Sequence, residues 1–197
     1  MEVKSIFISG VGGQGTILAG KVITTALVNL GYDVKMSEVH GMAQRGGSVI
    51  TQIRYGGKVY SPLIEKGRAD VLLAFEKLEA ARYVEYLSPE GTAIVNDLEV
   101  PPASVLVGRE EYPSDIVERL KEGIKKLIVV DAVGIAKECG EVRAQNMVLV
   151  GVLAGALNWP KEALVQVIRE VVPPKYADVN VEAFERGWAI VAPLSRS

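Results

Sequence analysis

The chain has 197 residues, 49% of them hydrophobic and 23% charged, too apolar for a disordered segment and long enough for one domain spanning 1–197. Twenty-two basic and 24 acidic residues leave a formal net charge of −2, so no overall positive field is available to hold nucleic acid by its phosphates. One cysteine, Cys139, and one histidine, His40, exclude an internal disulfide, a cluster held by four thiolates of this chain, and a His-rich zinc site.

Residues 3–9 form a short β-rich run that ends in glycines. The pattern then turns helical over 13–30, with Leu18, Val22, Ala26 and Leu30 four apart on one face. Gly31 is placed as a helix stop, and 32–37 predicts a second strand. Such a strand–glycine turn–helix–strand unit implies a right-handed crossover in a parallel sheet. Residues 38–48 lack an apolar period and read as a loop. Alternation over 49–55, then Gly56-Gly57 and 58–64, predicts a β-hairpin on two-residue turn chemistry.

A buried strand is expected at 70–75, a helix at 76–87 and a strand at 91–96. Residues 100–109 read as a Pro-containing connection with a short strand, and 112–126 as an amphipathic helix. A strand at 127–130 precedes Asp131, an expected N-cap. Helices are expected at 135–139, 145–157, 161–172 and 179–192, with Pro173-Pro174 breaking the third of these. The longest uncharged stretch, 144–160, carries Gln145, Asn146 and Asn158, so it reads as a buried helix, not a membrane span. The first ten residues have no basic, cleavable leader pattern, which points to a cytoplasmic location. Strands alternating with helices predict an α/β fold: a Rossmann-like, mainly parallel sheet flanked by helices, with a β-hairpin insertion.

Two loops carry the functional signal. Gly10, Gly12, Gly13, Gln14 and Gly15 belong to GVGGQG, a G-x-G-x-x-G turn between a strand and a helix. Glycines allow close backbone approach, and the N–H groups of a helix N-terminus attract an anion. Glu38, at the end of the second strand, stands where a Rossmann acid grips a ribose hydroxyl. That combination fits a stand-alone NAD(P)-binding oxidoreductase; the glycines alone also fit simple tight strand–helix packing.

The second loop gathers Glu38, His40, Gly41, Gln44, Arg45, Gly46 and Gly47, and should share the glycine loop's sheet edge. Arg45 can bind a carboxylate or phosphate bidentately, or pair with Glu38. His40 can act as an acid or donor, or simply hydrogen-bond within the fold. Cys139, with no resolving cysteine, reads as an inert thiol.

With LAGK (18–21), 61–82 and Asn96, these loops resemble the gamma-type subunits of the 2-oxoacid:ferredoxin oxidoreductases. The stretch SEVHGMAQRGGSV is most similar to the indolepyruvate branch; the pyruvate and 2-oxoglutarate branches are the alternatives. The resemblance implies a small subunit, not active alone, of a complex that oxidatively decarboxylates arylpyruvates with CoA and ferredoxin. It implies that thiamine diphosphate, Mg2+ and [4Fe–4S] clusters reside on a large alpha subunit, in an alpha–beta heterodimer or its dimer. A CoA-binding role for 10–15 and a ligand or interface role for the second loop are expected on the same ground. Neither a nucleic acid nor a membrane partner is expected.

Overall fold

The computed structural model describes residues 2–40 and 47–191, with His40 described by its backbone alone. Six strands make one sheet: β1 (Lys4–Val11), β2 (Asp33–His40), β3 (Ser48–Gly56), β4 (Ala69–Ala74), β5 (Leu87–Asn96) and β6 (Lys126–Val130). Their order is β2-β3-β1-β4-β5-β6. β1, β4, β5 and β6 are parallel neighbours, while β3 runs antiparallel to both β1 and β2.

On one face lie α1 (Thr16–Asn29) and, later in the chain, a group of helices from residue 132 onward; the other face carries α2 (Lys77–Tyr83) and α4 (Ile116–Gly123), with the one-turn α3 (Ala103–Leu106) between them in the chain. The C-terminal group comprises α5 (Ala132–Glu138), α6 (Gln145–Ala156), α7 (Lys161–Val171) and α8 (Pro174–Val191).

The period-2 geometry of the strands explains the two cores. Ile6, Ile8, Val71, Leu73 and Ile94 point to the α1 side, and Phe7, Leu72, Ala74, Ala93 and Val95 to the α2 side. Central strands buried on both faces read as the continuous apolar runs seen in the sequence. α6 is buried on all sides from Asn146 to Gly155. It lies against α8 at backbone contact: a Cβ on Gly151 would stand 2.0 Å from the Phe184 carbonyl oxygen, and one on Gly187 2.0 Å from that of Val148.

The expected stop at Gly31 is a Schellman end, with φ +88° and N–H bonds from Gly31 to Val28 and from Tyr32 to Leu27. Asp131 caps α5, accepting from the Gly134 N–H at 2.7 Å.

The α/β reading holds, but several details are corrected. The hairpin is β2–β3, closed across 41–47, and 58–64 forms no strand. β2 therefore extends through Glu38 to His40, in place of a loop from 38. β2 runs in the same direction as β1 but does not pair with it, because β3 lies between them. The connection at 100–109 holds a helical turn in place of a strand. Helix α2 ends at Tyr83, a 3-10 turn follows at Val84–Tyr86, and Leu87 already begins β5. The amphipathic helix covers only Ile116–Gly123. α8 starts at Pro174, because proline is tolerated in a first helical turn, where its missing N–H has no partner to lose.

Candidate functional site

The carboxyl ends of the parallel strands converge on the glycine loop. Its geometry divides the five residues singled out in 10–15 into two pairs and Gly12. Gly10 and Gln14 face inward. A Cβ on Gly10 would meet Thr16, Gln14 and Phe75 atoms at 2.8–3.0 Å. Gln14 is buried, accepting from the Val11 N–H at 2.7 Å and donating to the Phe75 carbonyl at 3.1 Å. Its amide staples the turn and fastens it to the end of β4.

Gly13 and Gly15 have φ of +101° and +82°. A Cβ on Gly13 would meet nothing within 4 Å. Among the described residues, nothing accepts from the N–H of Gly13 or Gly15. The first turn of α1 has no acidic residue and no side-chain cap. The positive end of that 14-residue helix is thus left for an external anion.

Gly12 is committed elsewhere: its N–H donates to the Gly47 carbonyl at 2.9 Å. The two loops therefore meet at one sheet edge, as their spacing predicts. Of the second-loop residues, Gly41, Gln44, Arg45 and Gly46 lie outside the described residues, as does the His40 side chain. Glu38 is in strand β2, opposite Thr51, with a carboxylate oxygen over Gly20 of α1. At roughly 4.8 Å per strand, the interposed β3 sets β2 about 10 Å from β1. Glu38 thus departs from the Rossmann arrangement, in which the strand bearing the acid neighbours the first strand.

Sequence reasoning missed the polar shell behind the glycines. Asn96 is fully buried; its amide donates to the Phe75 carbonyl and to Gln145 Oε1, both at 3.2 Å, and its oxygen accepts from the Ala132 N–H at 3.1 Å. Asn146, also buried, donates to the Gly15 carbonyl at 3.3 Å. The sequence signals were Asn96, among the residues that carry the family resemblance, and a Gln-Asn pair opening an otherwise apolar helix.

Below the second loop's exit, the buried Glu79 carboxylate accepts from the Ser48 hydroxyl and from Arg82 Nε at 3.0 Å, and Tyr83 Oη lies 3.0 Å from Ser48 Oγ. Glu76, 1% exposed, caps α2 by accepting from the Glu79 N–H at 2.8 Å and also takes the Tyr112 hydroxyl. Burial, and then the Glu76 carboxylate, push the Tyr112 phenol well up.

The family described as "Pyruvate ferredoxin/flavodoxin oxidoreductase" matches residues 5–190. The chain belongs to this family. Among its curated relatives is "Indolepyruvate oxidoreductase subunit IorB" of Thermococcus kodakarensis, 40% identical over 194 residues and 95% of each chain. The protein of the same name from Pyrococcus horikoshii is 41% identical with the same coverage. The fold recurs in "keto/oxoacid ferredoxin oxidoreductase, gamma subunit" from Geobacter sulfurreducens, with a TM-score of 0.75, 24% identity and 98% of each chain covered. It recurs also within a 2-oxoglutarate:ferredoxin oxidoreductase of Magnetococcus marinus, at TM-score 0.76 and 22% identity, covering 98% of this chain and 32% of that one. These proteins are subunits or portions of oxidoreductase assemblies, so membership of this family makes the chain a component of such an assembly. No described helix is long and apolar enough to cross a membrane.

Proposed function

We propose that this chain is the small subunit of a complex that oxidatively decarboxylates indolepyruvate and other arylpyruvates. CoA and oxidised ferredoxin are consumed; an aryl-acetyl-CoA, carbon dioxide and reduced ferredoxin are formed. One observation carries the choice of branch. The relatives named for indolepyruvate are 38–41% identical, whereas a shared gamma subunit of pyruvate and ketoisovalerate oxidoreductases from Pyrococcus furiosus is 27% identical at similar coverage.

The chain works as one domain and is inactive alone. A single cysteine, Cys139, cannot supply the four thiolates of an iron–sulfur cluster. The family resemblance implies that the clusters, thiamine diphosphate and Mg2+ lie on the large alpha subunit, in an alpha–beta pair or its dimer, through which ferredoxin is reached; the cysteine count agrees for the clusters. Those groups stabilise the carbanion and carry the electrons; this subunit binds and orients. The free amides of Gly13 and Gly15 and the unneutralised start of α1 suit the CoA pyrophosphate. Glu38 and His40 at the end of β2, together with Gly41, Gln44, Arg45, Gly46 and Gly47, meet that ligand or the large subunit in this reading. The stand-alone dinucleotide reading loses support from the strand order, because β3 separates the acid-bearing β2 from β1.

The test is purification of the tagged chain with its partner and assay with indolepyruvate, CoA and an electron acceptor. Gly12→Val in the intact complex should raise the KM for CoA. An unchanged KM would remove the CoA role, and a chain that purifies alone and binds NADH would overturn the subunit reading.

A further inference from the structure

At the sheet edge opposite the glycine loop, β1, β4 and the segment 63–68 enclose a cavity of about 500 Å³. That volume is typical of small-molecule sites. Ser5 of the lining and Gly10 of the glycine turn are five residues apart on β1, which at about 3.3 Å per residue separates cavity and turn by about 16 Å along the strand. The lining is mostly polar, including Ser5, Ser88 and the guanidinium-bearing Arg54 and Arg68.

The charges around it are unequally spent. Asp70 accepts from the Ser5 N–H at 2.8 Å and from Lys4 at 3.2 Å, and Lys4 also lies 3.5 Å from Glu2. Two of the three lining carboxylates thus already share a cation. Neither Arg54 nor Arg68 has a carboxylate partner among the described residues. Arg54 is held in place by donating from Nη1 to the carbonyls of Ser61 at 3.2 Å and Leu63 at 3.5 Å, while its Nε is buried and finds no acceptor. The enclosed Nε lies out of a ligand's reach and Nη1 is spent on those carbonyls, so Nη2 is the edge of Arg54 left for an oxyanion in the cavity. Arg68 is exposed and lines the cavity. The third carboxylate, on Glu65, is exposed.

We infer that this cavity is a second small-molecule site, in which Arg54 and Arg68 grip an oxyanion, carboxylate or phosphate, of a small polar molecule. Its polar walls disfavour an aromatic or aliphatic body.

Calorimetric titration of the full chain at low salt, with inorganic phosphate and separately with citrate, tests it. The wild type should bind one equivalent of at least one probe; the probe that binds identifies which oxyanion is preferred. Arg68→Ala should weaken that binding at least tenfold, and Arg68→Lys should recover part of it. Arg68 has no partner to lose, so the melting temperature should not change. Gly12→Val should leave this binding intact. The inference is overturned if neither probe binds, if Arg68→Ala binds as the wild type does, or if Gly12→Val abolishes binding and so places the anion at the glycine loop.

Discussion

Gly12 donates its backbone N–H to the carbonyl of Gly47 at 2.9 Å, tying the end of β1 to the start of β3. That bond takes one amide of the glycine turn away from any ligand. The proposed anion-binding role therefore rests on Gly13, Gly15 and the first turn of α1.

Gly15 and Gly13 should answer differently to alanine. At Gly15 the new Cβ meets Asn146 Nδ2 at 2.6 Å in a left-handed conformation. Strain and the displaced buried amide should together cost about 2–4 kcal/mol. At Gly13 nothing lies within 4 Å, so strain alone should cost about 1–2 kcal/mol. Urea denaturation of both variants measures the difference, and equal losses would refute the role given to Asn146.

Gly151 and Gly187 hold α6 and α8 at backbone contact. Alanine at either position must push the helices apart and should cost about 3 kcal/mol or more, despite alanine's better helix propensity. Gly123→Ala, where a Cβ would meet nothing within 4 Å, should be neutral or stabilising by up to about 1 kcal/mol. Guanidinium unfolding midpoints give the ranking directly.

Asn96→Ala should cost about 2–4 kcal/mol, because it strands the Ala132 N–H and removes a donor from the Phe75 carbonyl at a buried position. Asn96→Asp should not rescue it. A carboxylate can accept from Ala132, but it faces the Phe75 carbonyl without a proton to give. Thermal melts of the two variants at neutral pH check this.

Burial pushes the Tyr55 phenol up to about 12, against a partly opposing hydrogen bond from Trp159. The unfolded chain ionises this group near pH 10. A raised folded value means its contribution is complete below pH 10 and lost as pH rises toward 12. Stability should therefore fall over that window, and Tyr55→Phe should flatten that part of the fall. Denaturation midpoints from pH 8 to 12 test the sign.

The sequence by itself determined the α/β class, because the buried parallel strands are short apolar runs bounded by breakers and the helices carry a 3.6-residue period. It also located the Schellman end at Gly31, the cap at Asp131 and the meeting of the two loops. It could not order the strands. The pattern 49–55, Gly-Gly, 58–64 mimics a two-residue hairpin locally, yet β3 finds a better partner in β2. Such pairing is settled by which apolar faces the sheet can bury, not by turn chemistry. The same limit hid the site's polar shell. Asn96 and Asn146 are 50 positions apart, and Asn146 and Gly15 131 apart; only packing of α6 beneath the turn brings them together. Strand order decided Glu38 as well: its position in the chain suits a ribose acid, and the interposed β3 moves it away.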